Sequence, residues 1–306
     1  MRIALAGVES SHEHLWAACL SRARSVLTSF FYADTIEHSN RFNLWKSTLH
    51  QATFRLVDSG AYTFRTTALW GNKETAAGID VDAYLDRYIK WILRMRSLKL
   101  VDYWVEMDIG VAVGAEWVTQ HRKRFFDAGL GYGLIRVWHS LESDWQGWLD
   151  LIAEAKQPNR SRFVAIEGRS KYYAPIDYTK FIRAAYDQGV RVHGFRMTSF
   201  KDLKRYPFYS VDSTTWTTAV RFGVTHSVRN GWLESSLNGD RVWRGRLIPR
   251  RTSTYRTRLD LVKTTAAQWV KAEKQITELW EKRGINWDKQ LEKVLHEEGK
   301  ATTATV

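Results

Sequence analysis

Six apolar stretches of this sequence run out onto a polar or titratable residue just past their last core-type position. FRLVDSG (54–60) bears Asp58 at its end, DYWVEMDIG (102–110) bears Asp108 and GLIRVWH (133–139) His139. FVAIEGR (163–169) bears Glu167, RVHGFRMTS (191–199) His193 and Gly194, and PFYSVDSTTW (207–216) Asp212. Taken singly, each acid is explained as a helix N-cap or a solvated loop residue. Gathered at one end of a sheet, they would repel one another unless something used them. Clustered carboxylates fit either a metal site or a division of labour between a nucleophile and an acid–base group.

The elements that must position these residues alternate. Apolar runs of strand length are followed by longer segments of helical period. In VDAYLDRYIKWILRMRS, for example, Tyr84, Tyr88, Trp91 and Ile92 share one face. Helices that close on Gly129 and Gly189 carry the expected C-terminal glycine. Strand–helix alternation predicts parallel βαβ units. Without a Gly-rich dinucleotide fingerprint, it predicts a (β/α)8 barrel of the TIM type over a doubly wound sheet. RIALAG and the six stretches above give seven strands, and the segment HLWAACLSRARSVLTSFF reads as one helix. The eighth strand is sought in SVRNGW or VWRGRLI. The expected organisation is a barrel core over 1–223, a basic, barrel-completing segment with C-terminal helices over 224–300, and a disordered tail at 301–306. The long C-terminal helix is amphipathic, with Leu261, Ala266, Trp269, Ala272, Ile276, Leu279 and Trp280 near helical spacing.

Composition narrows the partners. The net charge of +13 favours polyanions, nucleic acid before an anionic membrane surface. Arg241, Arg244, Arg246, Arg250, Arg251, Arg256 and Arg258 fall within one short run, interleaved with Trp243 and Tyr255. Arginine forks suit phosphates, and the rings suit stacking on displaced bases. The alternative is a solvated basic face with two anchoring rings. Arg122, Lys123 and Arg124 form a second, weaker basic group. The single Cys19 excludes an intrachain disulfide and a Cys-based zinc site and suits a reducing compartment. No apolar run suits a secretory leader or a membrane span, so a cytoplasmic protein is expected.

The succession of strand ends resembles the tRNA-guanine transglycosylase superfamily, which is built on a (β/α)8 barrel. Its D-S-G-G-F/Y strand end is similar to Asp58-Ser59-Gly60-Ala61-Tyr62. Its base-recognising acid corresponds to Asp108, its V-Q-G to Ile166-Glu167-Gly168, and its Gly-rich base-binding strand to Val192-His193-Gly194-Phe195. Its nucleophilic aspartate corresponds to Asp212 in YSVDSTTW. The likeness spans roughly residues 50 to 220, and only the first motif is specific by itself. Departures are clear: Ala61 stands for the second glycine, Glu167 for glutamine, and the zinc-binding cysteine cluster is missing, with the Arg-rich run in its place. The zinc-free form, with LAGVES and SFFY near the start, is similar to the phage-encoded branch that inserts 7-deazaguanines into DNA.

The resemblance implies a double displacement at a nucleoside C1′. Asp212 attacks C1′ and expels guanine, and Asp58 is the general base for an incoming 7-deazaguanine such as preQ0. Asp108, Glu167 and the backbone at Gly194 read the base. Tyr62 or Phe195 either stacks on it or fills the barrel mouth, and Ser59 either bonds it or caps a helix. His139 and His193 are expected as structural hydrogen-bonders. Neither a cofactor nor a metal is called for. The implied partners are DNA at guanine sites and the free base; the host cytoplasm is the expected location for a phage-encoded protein. Two other readings stand beside it: the same exchange on tRNA, and a non-catalytic nucleic-acid-binding barrel. A metal-dependent hydrolase would need a His-x-His pair, which His12 and His14 approach without a further ligand.

Overall fold

The computed structural model describes residues 1–61, 80–109, 114–139, 145–167, 177–217, 225–229, 231–236, 242–243, 246–247 and 255–303. Eight parallel strands close into a barrel in chain order. They are β1 (Arg2–Ala6), β2 (Ser25–Ser29), β3 (Phe54–Asp58), β4 (Tyr103–Val105), β5 (Leu134–Trp138), β6 (Phe163–Ile166), β7 (Arg191–Gly194) and β8 (Ser210–Ser213). Helices alternate with them: α1 (His12–Leu20), α2 (Phe30–Ala33), α3 (Phe42–Gln51), α4 (Val81–Ser97), α5 (Ala115–Asp127), α6 (Trp145–Ala155), α7 (Thr179–Asp187) and α8 (Phe200–Arg205). The (β/α)8 expectation holds. Strands covered by helices are buried on both faces, which is why they read as nearly continuous apolar runs.

The eighth strand is β2, not a segment after residue 224. SVLTS lies inside the stretch expected to be one helix. The break is made without glycine or proline: Arg22 takes φ 55°, and Ala23 N–H donates back to the Ala18 carbonyl at 3.0 Å. This is the helix-ending turn that glycine usually supplies, here made by an arginine at some steric cost. SVRNGW contributes to β9 (Thr225–Arg229) and β10 (Trp232–Ser236), an antiparallel pair apart from the barrel sheet. VWRGRLI supplies β11 (Val242–Trp243) and β12 (Arg246–Leu247), a second such pair. Two helices end the chain, α9 (Tyr255–Lys282) and α10 (Trp287–Thr303), so residues 301 to 303, expected in a disordered tail, are helical.

The chain packs as two compact units. One comprises Met1–Arg2, Gly131–Asp212 and the chain from Glu273 onward; the other comprises Ile3–Leu130 and Ser213–Ala272. Tyr84, Tyr88, Trp91 and Ile92 are buried, as are Leu261, Ala266, Trp269, Ala272, Ile276 and Trp280. Trp45, Trp104, Trp148, Trp216 and Trp269 are among the largest fully buried side chains, so much of the tryptophan content is core. Several indoles also donate to distant carbonyls. In the second unit Trp104 bonds Leu130 at 3.1 Å and Trp216 bonds Ala6 at 2.9 Å. In the first, Trp148 bonds Phe181 at 3.0 Å, Trp280 bonds Leu203 at 2.8 Å and Trp287 bonds Pro207 at 2.9 Å. Each pairs a large apolar surface with one directional hydrogen bond.

Candidate active site

Asp58 is the last residue of β3 and is half-buried. The next residues turn sharply. Gly60 takes φ +85°, and a Cβ there would stand 2.7 Å from Phe31 Cβ and 3.0 Å from Tyr84 Oη. Only glycine fits both the backbone and the space. Ser59 is fully buried; its carbonyl accepts the Tyr84 hydroxyl at 2.8 Å, while its Oγ has no partner. Tyr88 Oη, also on α4, donates to the Val105 carbonyl at 2.9 Å. Burial pushes both phenols well above the usual tyrosine range, and the charge of Asp58 adds to this, so they remain O–H donors. The helix thus clamps the strand end from outside.

A second acid belongs to this corner, one that sequence reasoning did not single out. Glu9 sits in the short 3-10 turn Val8–Ser10 that follows β1 and is 1% exposed. Its Oε1 accepts the Ser29 backbone N–H at 3.1 Å, and Ser29 is the register partner of Asp58 across β2 and β3. Its Oε2 is buried with no partner. Burial raises its carboxyl to about 7; hydrogen bonds from the backbone of Glu9 and Ser29 oppose this, Asp58 adds to it, and Arg41 opposes it. The signal was available: Glu9 follows RIALAG just as the other acids follow their strands.

Beyond β4, Asp108 is half-buried, and its N–H donates to the Glu106 carbonyl at 2.8 Å. Glu106 itself is 3% exposed and accepts Arg122 Nε of α5 at 2.6 Å. Arg124 pairs with Asp82 and Asp86. Arg122 and Arg124 are therefore committed to acids of their own unit, which weakens their candidacy for a phosphate backbone.

In the first unit, the ends of β5 to β8 carry a differently wired group. His139, after β5, meets Glu167, after β6, with Nδ1 and Oε2 2.9 Å apart. His193 on β7 is fully buried, with Nδ1 2.8 Å from Ser210 Oγ and Nε2 3.4 Å from Asp212 Oδ1. The same Asp212 oxygen accepts the Arg196 N–H at 2.9 Å, and Arg196 takes φ 59° to offer it. Asp212 is 7% exposed. Gly194 leaves room for Phe208 and Met197, which a Cβ would approach at 3.0 and 3.1 Å. The half-buried Phe195 ring lies 4.6 Å from that of His193, edge to face. Both histidines are hydrogen-bonded side chains, as the sequence suggested.

Of the remaining candidates, Tyr62, Gly168, Arg241, Arg244, Arg250 and Arg251 lie outside the described residues. Trp243 falls on β11, Arg246 on β12, and Arg256 and Arg258 in the first turn of α9. Among the described residues no group of three or more metal-ligating side chains occurs, and no helix is long and apolar enough to cross a membrane. His14 of the incomplete His-x-His pair is instead 2.6 Å from Ser10 Oγ through Nδ1.

Parallel strands in a closed barrel all point the same way, so Asp58, Glu167 and Asp212 each stand at the carboxyl end of their strand. Asp212 Oδ1 accepts the Arg196 N–H with His193 Nε2 3.4 Å away, whereas Glu9 keeps a buried oxygen without a donor. Surroundings of the first kind fix a carboxylate; those of the second kind suit an acid–base centre. The chain matches no protein-family model and no curated protein.

Proposed function

We propose that the protein is a base-exchange transglycosylase that replaces guanine in DNA by a 7-deazaguanine, through a covalent ester between Asp212 and C1′. The observation that carries this reading is the pair of aspartates, one ending β3 in a D-S-G turn and one on β8, in a barrel of eight parallel strands. In such barrels chemistry is built at the carboxyl ends of strands.

The division of labour follows from the surroundings. A nucleophile must keep its direction; the Arg196 N–H bonded to Asp212 Oδ1 at 2.9 Å, with His193 Nε2 3.4 Å away, suits that need. An acid–base group must hold and release a proton, which suits the poorly solvated end of β3. The two half-reactions resemble retaining glycoside hydrolysis, with a base in place of water as the second nucleophile. Glu167, oriented by His139, and the Gly194 backbone would meet the polar edge of the base. Asp108 would add a further acceptor. A guanine within a duplex must be turned out of the stack before C1′ can be reached. The net charge of +13 and the arginines between 241 and 258 suit the phosphates on either side. An enzyme of this kind works where DNA and free bases are dissolved together, in the cytoplasm, including that of a phage host.

The test is incubation with radiolabelled guanine or preQ0 and either duplex DNA or tRNA. Label entering DNA supports the reading. Label entering only tRNA moves the substrate to RNA, and binding without any label transfer leaves a nucleic-acid-binding barrel.

A further inference from the structure

Base exchange uses one proton that is given up and recovered within each cycle. In the first half, an Asp212 oxygen bonds to C1′, the C1′–N9 bond breaks, and its electron pair leaves with N9, which must collect a proton. In the second half, the N9–H of the incoming base gives up its proton as the new C1′–N bond forms. The ester C–O bond then breaks and its electron pair returns to Asp212. No proton is gained or lost over the cycle. One must nevertheless be resident in the site before guanine can leave as a neutral base.

We propose that Glu9 is the positioning residue that stores this proton, handing it to Asp58 for guanine departure and taking it back when the new base arrives. The use assigned to the proton rests on the transglycosylase reading; the Glu9–Asp58 pair itself does not. Four observations carry it. Glu9 is 1% exposed, on the turn that leaves β1. One of its oxygens is fixed by the Ser29 N–H at 3.1 Å, and Ser29 lies directly across from Asp58 in the register of β2 and β3. Its other oxygen is buried and unpartnered, as is Ser59 Oγ next to Asp58. A buried carboxylate with a bare oxygen is costly, whereas a carboxylic acid is tolerated.

The charged and titratable groups around the pair point the same way. Arg41, just before α3, directs its guanidinium at the Glu9 carbonyl at 2.6 Å and offsets the carboxyl only weakly. The phenols Tyr84 and Tyr88 of α4 feel the charge of Asp58 and stay protonated. Arg87, on the same helix, is paired with Asp34 after α2 at 3.3 Å. On α1, His14 is occupied with Ser10. Burial and the neighbouring aspartate hold the Glu9 carboxyl near 7, so it is available both as donor and as acceptor at neutral pH.

Glu9→Gln keeps the acceptor for Ser29 and removes the titration. The first measurement is thermal unfolding of wild type and variant from pH 4 to 9, which needs no activity. The wild type should lose Tm relative to the variant as pH rises from about 4.5 to about 7, by on the order of 5 °C, and then run parallel to it. A difference that is flat with pH overturns the proposal. Should the variant fail to fold, the protonated-carboxyl infrared band of wild type should vanish near pH 7 and that of Asp58→Asn at lower pH; bands with the same midpoint overturn it. The second measurement is single-turnover guanine release from DNA. Glu9→Gln should slow it by about 100-fold and erase the pH dependence near 7. Wild-type rates and profile in the variant would overturn the storage role. Absence of guanine release from the wild type, with the Tm difference and the lower infrared midpoint in Asp58→Asn present, removes the transglycosylase reading and leaves Glu9 as a proton store coupled to Asp58.

Discussion

The strand ends of the two compact units treat a carboxylate in opposite ways. At β8, Asp212 is nearly buried, and its Oδ1 accepts the Arg196 backbone N–H, with His193 Nε2 3.4 Å away and that ring anchored by Ser210 through Nδ1. After β1, Glu9 is buried more deeply still, with backbone donors only and a bare second oxygen. Burial alone therefore does not decide what an acid becomes. A donor orients a buried carboxyl, and a bare buried oxygen favours the protonated form.

Substitutions can break this contrast. Asp212→Asn retains the acceptor for Arg196 and should leave the fold intact, while guanine release falls by about 10⁴-fold or more and no covalent DNA complex is trapped. An adduct that persists would transfer the nucleophile's role, most simply to Asp58. Asp58→Asn should slow base exchange by about 10² to 10⁴-fold yet still yield a trappable adduct. Loss of the adduct in this variant alone would exchange the two roles.

Two smaller effects sharpen it. His226 on β9 is 3% exposed, and burial pulls its imidazole down to about 4. The unfolded chain takes up a proton that the folded state refuses, so stability is lost as pH falls from about 6.5 towards 4, by about 3 kcal/mol. Denaturant titrations across that window should show the stability of wild type falling relative to that of His226→Gln as pH drops. The slope is opposite in sign to that expected from Glu9. Tyr84→Phe removes the hydroxyl that holds the Ser59 carbonyl and should cost about 1 kcal/mol in the same assay. A larger effect on base exchange than on stability would tie α4 to the aim of Asp58.

Much of this was legible in the sequence, for identifiable reasons. Strands sheathed by helices must be apolar on both faces, so β1 and β3 to β6 stand out as short greasy runs. β2 did not, because SVLTS carries two serines and a threonine, and the turn before it is made by Arg22 where a glycine would have announced it. The D-S-G turn was visible because its glycine is demanded by Phe31 and Tyr84. The place of Glu9 after its strand was visible, but its burial and that of Glu106 were not, since an acid's burial depends on neighbours far off in sequence: Ser29 and Asp58 for one, Arg122 for the other. The Asp212–His193–Ser210 chain was equally invisible, because it forms between adjacent strands whose register no local pattern reveals.

The indole donors have a consequence beyond packing. Trp216 and Ala6 are 210 positions apart, and Trp287 and Pro207 are 80 apart, yet each pair is tied by one N–H···O bond within its own unit. Each such tie joins distant parts of the chain as a cystine does, though with only about 1 kcal/mol. Thiol reductants do not break it, so this scaffold should keep its long-range stitching in reducing surroundings.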